Sequence, residues 1–153
     1  MQTRRKILFR SAQVAGMLAA LGLLPGIAGA QVSGYNSAAF DAKTLAELSK
    51  AMGTGAPTES KDITVSGPDI AENGAVVPVA VTSKIPNTQS ISILAEKNPF
   101  PLSSTHDVAN GGEGYVSARL KMGETSNVRA VVRADGKFYT AVKEVKITIG
   151  GCG

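Results

Sequence analysis

The stretch Asn127–Ile149, which reads NVRAVVRADGKFYTAVKEVKITI, determines the fold that the sequence predicts. Apolar and polar residues alternate in three runs: Val128–Arg133, Phe138–Val142 and Val145–Ile149. A two-residue period is typical of a β-strand with one buried face. Asp135-Gly136 lies between the first two runs and is a preferred pair for a two-residue hairpin loop. The stretch therefore predicts an antiparallel hairpin followed by further strand.

The same two-residue period occurs in four earlier segments, which are Ile63–Val65, Val77–Val81, Ile91–Ala95 and Val116–Met122. Pro78 marks the second of them as an edge or a bulge, because proline donates no ladder hydrogen bond. Asn98–Pro101 breaks the pattern and predicts the start of a long loop. Six or seven strands with no helix between them predict a mainly β fold, an antiparallel immunoglobulin-like sandwich.

The segment before the strands has a helical period. Leu45, Leu48 and Met52 recur at helical spacing, which predicts one short helix that begins at a cap on Ser37 or Asp41. Gly53 follows as the expected C-terminal cap. Residues 54–61, with their glycine and proline, predict a linker to the strands.

Residues 1–30 are typical of an export signal. Arg4 and Arg5 belong to a basic start without acids, the apolar run 12–24 is too short for a stable membrane span, and Ala28-Gly29-Ala30 predicts cleavage after Ala30. The start resembles a twin-arginine signal, which predicts a periplasmic protein; an ordinary secretory signal and an uncleaved anchor are the alternatives. The predicted organisation is thus a signal at 1–30, a helix and linker at 31–61, a β-sandwich at 62–149 and a terminal arm at 150–153.

Removal of this signal changes the charge of the chain. The full sequence has 16 basic and 12 acidic residues, and four of the bases but none of the acids lie in residues 1–30. The remaining chain is formally neutral, so its composition does not favour a nucleic-acid partner. A neutral protein tends to associate, which favours a subunit of an assembly.

Few residues before the C-terminus point to chemistry. His106 is the only histidine and lies in the polar segment Ser103–Asp107, which indicates a solvated loop residue rather than a metal ligand. The cluster of Gly111, Gly112 and Gly114 lacks the strand-turn-helix context of a phosphate site and predicts a hairpin loop. No catalytic residue, metal site or cofactor is predicted.

Cys152, the only cysteine, lies between Gly150-Gly151 and Gly153. The nearby terminal carboxylate disfavours its thiolate, so the thiol is predicted to be reachable rather than activated. The glycines predict a thin, flexible carrier arm with Cys152 as the covalent attachment site. Three alternatives remain: a frayed terminus, an interaction module with an intermolecular disulfide through Cys152, such as a homodimer, and a thiol oxidoreductase.

The twin-arginine-type start, the helical segment Phe40–Leu45, the valine-rich β domain and the terminal Gly-Gly-Cys-Gly together resemble the SoxY family, whose tail usually has one more glycine. These are carrier subunits of the periplasmic thiosulfate-oxidising Sox system. The resemblance implies a non-catalytic chain without a cofactor that carries sulfur intermediates on Cys152. It also implies SoxZ as heterodimer partner, exported on the signal of this chain. Further implied partners are a c-type cytochrome that attaches thiosulfate, a hydrolase that releases sulfate and a molybdenum–haem sulfane dehydrogenase.

Overall fold

The computed structural model describes residues 35–109 and 111–148. The predicted signal, with Arg4, Arg5 and the cleavage site after Ala30, lies outside the described residues. The predicted arm, Gly150 to Gly153 with Cys152, also lies outside them. From Asn36 onward the described residues form one compact unit.

The predicted single helix is two helices, α1 (Ser37–Asp41) and α2 (Leu45–Met52). Asn36, not Ser37 or Asp41, caps α1. Thr44 interrupts the helix because it caps α2 through a reciprocal box. The Thr44 hydroxyl accepts from the Glu47 amide at 3.2 Å, and Glu47 accepts from the amides of Lys43 and Thr44. These two backbone donors hold the pKa of the Glu47 carboxyl below its ordinary value. Gly53 ends α2 with a φ of 65°, as predicted.

The described residues form nine strands: β1 (Thr58–Glu59), β2 (Ile63–Ser66), β3 (Ile70–Ala71), β4 (Val77–Ser83), β5 (Thr88–Ala95), β6 (Leu102–Asp107), β7 (Tyr115–Leu120), β8 (Ser126–Ala134) and β9 (Lys137–Ile147). Sheet A has the order β1-β9-β8-β5-β6, with β3 pairing further along β9. Sheet B has the order β2-β4-β7. Neighbouring strands are antiparallel, except that β1 and β3 run parallel to β9. The predicted immunoglobulin-like sandwich is confirmed.

The β8–β9 hairpin has the predicted turn. Asp135 and Gly136 both have positive φ values, 48° and 72°, and they join the paired residues Ala134 and Lys137. The two strands predicted after the turn are one continuous strand, β9, up to Ile147. The continuity follows from the β8 partner, because β8 pairs with β9 from Lys137 to Val145 without interruption.

The main core lies between the sheets and is almost wholly aliphatic. Its residues with no exposed surface are Val77, Val81, Ile91, Ile93, Ala95, Val128, Ala130, Val132 and Val145. A second cluster lies on the other face of sheet A, where Ala39, Leu48, Leu94, Leu102 and Val131 pack together. The helices thus cover sheet A, which explains why Ile91–Ala95 is buried on both faces.

Three predictions about connections were wrong. The segment 102–107 is strand β6 at the edge of sheet A, where polar residues are tolerated, and not part of a long loop. Gly111, Gly112 and Gly114 do not form a hairpin loop, because β6 pairs with β5 and β7 pairs with β4, so this connection crosses between sheets. The predicted linker 54–61 contains β1, which pairs with β9.

Pro78 lies in the middle strand of sheet B, yet it disturbs no ladder. Strand β2 pairs with β4 only between Ala80 and Ser83. At Pro78 the strand therefore has a neighbour on the β7 side alone, where Arg119 is its partner. Pro78 is locally at an edge, as its lack of an amide hydrogen requires.

Candidate functional site

The last described residue is Thr148, which directly follows β9. The predicted attachment site, Cys152, follows four residues later. The structure therefore describes the residues to which the predicted arm is attached, Lys146–Thr148, but not the arm itself. We call these three residues the root of the arm. We call this end of the sandwich, where β9 finishes, the exit end.

Strand β3 fixes the root from one side. The amide of Lys146 donates to the carbonyl of Asp69 at 2.9 Å, and the amide of Thr148 donates to the carbonyl of Ala71 at 3.1 Å. Thr125 lies in the turn between β7 and β8, and its hydroxyl accepts a hydrogen bond from the amide of Ile147 at 3.0 Å. The amides of three successive residues, 146–148, are therefore hydrogen-bonded. These bonds hold the last residues before the arm in one position.

An ion pair strengthens the same attachment. The Lys143 ammonium donates to Asp69 Oδ1 at 2.5 Å. This hydrogen bond and the attraction of the lysine hold the pKa of the Asp69 carboxyl below its ordinary value. Asp69 is largely exposed, so solvent screens the pair and its main effect is to align β3 with β9.

Gly74 lies in the β3–β4 connection and contacts the end of β9 closely. Its carbonyl accepts from the Met122 amide at 2.7 Å. A Cβ on Gly74 would clash with the carbonyl oxygen of Met122 and would lie 3.2 Å from Ile147 Cγ2. Only glycine lets this connection pack against the root.

Gly74→Ala is expected to lower the free energy of unfolding by about 1–3 kcal/mol, because backbone atoms must move to admit the methyl group. The matched control is Gly123→Ala in the neighbouring β7–β8 turn, where a Cβ would meet nothing within 4 Å. Urea denaturation of both variants measures the difference. Equal stability of the two variants would contradict the close packing of Gly74 at the root.

Two further connections complete the exit end. The Asn98 amide side chain donates to the carbonyl of Lys121 at 2.8 Å, and the Lys97 amide donates to Ser126 Oγ at 3.0 Å. These bonds hold the β5–β6 turn, 96–101, against the β7–β8 turn, 121–125, and the start of β8. The β3–β4 connection, the β5–β6 turn and the β7–β8 turn thus all lie at the exit end.

His106 lies away from this end. It occupies the edge strand β6 and pairs with Ile91, so its ring is on the face of sheet A that looks toward sheet B. Its Nε2 atom is buried and bonds to no described residue. The interpretation of His106 as a solvated loop residue was wrong, because its backbone belongs to a ladder. Among residues 35–109 and 111–148, no group of three His, Cys, Asp or Glu side chains could hold a metal ion.

An apolar cavity of about 160 Å³ lies between α2 and the outer face of sheet A. Leu45, Met52 and Leu94 contribute to its lining, together with Arg129. The Arg129 guanidinium donates to Glu96 at 2.6 Å and to Thr140 at 3.4 Å, so it already has partners within the fold. No helix in the described part of the chain is long and apolar enough to cross a membrane.

Comparison with known proteins identifies the family. The family model described as sulfur oxidation protein SoxY matches residues 48–152, which includes both the sandwich and Cys152. The chain belongs to the SoxY family. The resemblance in the sequence is thus confirmed at the level of the family. A comparison with curated proteins gave no significant match.

Solved structures agree with membership of the SoxY family. The sulfur carrier protein SoxY from Chlorobium limicola f thiosulfatophilum is 42% identical, with a TM-score of 0.57 over 66% of this chain and 94% of that chain. The human F-spondin reeler domain is 10% identical, with a TM-score of 0.43 over 61% of this chain and 93% of that chain. The second likeness is too weak to inform function.

The sequence indicated Cys152 but did not reveal what surrounds the root of its arm. Asp69 and Lys143 are 74 residues apart in the chain, and Thr125 is 22 residues from Ile147. The hairpin turn implied that β9 lies beside β8. Nothing in the two-residue strand β3 indicated that it pairs with β9, because two residues are too few to show a period.

Proposed function

We propose that this chain is a non-catalytic carrier that holds sulfur intermediates covalently on the thiol of Cys152. The observation that carries the proposal is that the match to the SoxY family model extends to residue 152. The Chlorobium SoxY, a sulfur carrier protein, supports the same role. In this proposal Gly150, Gly151 and Gly153 form a flexible arm that presents the sulfur to separate enzymes.

The chemistry of the carrier balances with an external oxidant. Thiosulfate and the Cys152 thiol form a new S–S bond and release one proton and two electrons, which a c-type cytochrome accepts. A hydrolase then adds water to the terminal sulfonate, releases sulfate and leaves a cysteine persulfide. A sulfane dehydrogenase oxidises the outer sulfur of the persulfide with three waters to a cysteine S-sulfonate and passes the six electrons to an external acceptor. A second hydrolysis releases this group as sulfate and returns Cys152 to the free thiol. The carrier needs no cofactor of its own in this cycle.

The fixed root suits this role. Four extended residues span at most about 13–14 Å, so Cys152 stays within that distance of Thr148. A tether of this length keeps the reactive sulfur near the carrier and raises its concentration at a docked enzyme. Three bonded amides at the end of β9 give the tether a defined starting point.

The proposal extends to assembly and location. SoxZ is the proposed heterodimer partner, and the neutral charge of the chain after residue 30 is compatible with stable association. Arg4 and Arg5 are proposed to direct twin-arginine export to the periplasm, with cleavage after Ala30. Export of the folded pair on one signal explains the use of this route for a chain without a cofactor.

Radiolabelled thiosulfate tests the attachment directly. Label supplied to the host cells is expected on the tryptic peptide Ile147–Gly153, which contains Cys152, and a reductant is expected to release it. An unlabelled peptide in a stoichiometric, reducible dimer would instead support an interaction module with an intermolecular disulfide. Label on any other peptide would contradict Cys152 as the attachment site.

A further inference from the structure

We propose that Ile70, Val76 and Phe100 form a docking surface for the enzymes that load and unload Cys152. The inference rests on the proposed carrier function and adds the surface by which its partners recognise it. The occupant is an enzyme with an apolar rim around a narrow active-site entrance. Such an enzyme receives the arm while its rim contacts the exit end of the sandwich.

The three side chains are apolar and unusually exposed. Ile70 is 58% exposed, Val76 53% and Phe100 50%. The other large apolar side chains with comparable exposure in the described part of the chain are spread elsewhere, as Tyr35, Leu45, Tyr115 and Val142. Exposed aliphatic and aromatic groups that gather at one end of a small domain are typical of an interaction surface.

Their positions follow from the bonds that define the exit end. Ile70 pairs with Lys146, and its neighbour Ala71 bonds to Thr148. Ala71 is buried in the core, so the alternation of β3 turns Ile70 outward. Val76 follows Gly74 in the connection that packs against the end of β9.

Phe100 lies on the β5–β6 turn, which is bonded to the turn leading into β8. Sheet A has the order β9-β8-β5, so this turn is displaced from β9 by two strand spacings, roughly 10 Å. The docking surface therefore lies at the exit end, on both sides of the end of β9.

The short arm explains why the docking surface has to be here. Cys152 lies within about 13–14 Å of Thr148, so an enzyme that reaches its sulfur must bring its entrance to the exit end. The surface of that enzyme around the entrance then covers Ile70, Val76 and Phe100. Contact at the opposite end of the sandwich would leave the thiol out of reach.

The charges at the exit end indicate apolar recognition. Lys97, Lys121 and Lys146 are exposed, but so are Glu72 and Glu124, and Asp69 pairs with Lys143. Neither positive nor negative charge dominates, so a strongly charged partner would gain little binding free energy at the exit end. Burial of three apolar side chains is the larger contribution, since a few central residues carry most of the energy of an interface.

The test compares a triple variant, Ile70→Ser/Val76→Ser/Phe100→Ser, with Val142→Ser in the host cells. Val142 is a matched control because it is 40% exposed on β9, yet it lies six residues before Thr148, roughly 20 Å along the strand. Intact mass after addition of thiosulfate gives the rate at which adducts form on Cys152. Alkylation of the reduced proteins by iodoacetamide gives the accessibility of the thiol, and light scattering gives the oligomeric mass.

The triple variant is expected to load at least about tenfold more slowly, while Val142→Ser loads within about twofold of the parent. Alkylation rates and oligomeric mass are expected to be unchanged. Parental loading by the triple variant would overturn the inference. A smaller oligomeric mass would also overturn it, because the surface would then be a subunit interface. If the parent protein itself acquires no adduct, the carrier function fails as well, and that result differs from a selective defect of the variant.

Discussion

Cys152→Ser is expected to abolish thiosulfate oxidation in a host that has no other copy of this carrier. Serine keeps the size of the side chain but cannot form the S–S bond that holds the intermediate. Sulfate release from thiosulfate, measured in cells, should fall to the background of a deletion strain. The last described residue that packs against the core is Ile147, so the free energy of unfolding should change by less than about 0.5 kcal/mol.

The control for this prediction is Gly153→Ala, which changes the neighbouring residue and keeps the thiol. It should support oxidation close to the parental rate. Co-purification with SoxZ should survive Cys152→Ser, because the proposed association does not use the thiol. Substantial sulfate release by Cys152→Ser would show that another group on the chain carries the sulfur.

Ile93→Ala is expected to cause the largest loss of stability, about 2–5 kcal/mol. Ile93 has no exposed surface, lies on the interior strand β5 of sheet A and points into the core between the sheets. Its backbone pairs with Ala130 on one side and Ser104 on the other, so the surrounding strands have little freedom to close the cavity. Urea denaturation measures the change.

Ile70→Ala is the matched control, because it removes the same atoms from a side chain that is 58% exposed. Its effect on stability should stay within about 0.5 kcal/mol. A loss below about 1 kcal/mol for Ile93→Ala would mean that the core collapses around the cavity or that the sheets pack differently. Similar losses in the two variants would contradict the assigned inner and outer faces of sheet A.

The fold was predictable where the sequence period and the turn chemistry agreed. The run from Val128 and the Asp135-Gly136 pair specified the β8–β9 hairpin, since a two-residue loop with two positive φ values needs such residues. Thr44 and Glu47 have the spacing of a capping box, so the break between α1 and α2 was visible in the sequence although a single helix was predicted.

Strand β6 was missed for a physical reason. Only Leu102 in it is apolar, and it packs beneath the helices, whereas Ser104 and His106 lie on the face toward sheet B. An edge strand with inward polar groups has no two-residue hydrophobic period, and it forms because β5 supplies its ladder. A single sequence does not show such a partner.

The candidate site also has one part that the sequence predicted and one part that it did not. Cys152 could be singled out because an unpaired cysteine between glycines is unusual in a chain that is predicted to be exported. The contacts around the root of the arm could not be predicted, because they join residues that are far apart in the sequence. Asp69 bonds to Lys143, and Gly74 bonds to Met122. Tertiary contacts of this kind decide where an arm starts, and the composition of the arm does not reveal them.

The central claim, that Cys152 carries sulfur, is tested most directly by the intact mass of the protein purified from cells supplied with thiosulfate. We expect added masses equal to sulfur and sulfonate units, located on Cys152 and removed by a reductant. A protein that has only the mass of the free thiol, or only that of a disulfide-linked dimer, would contradict it.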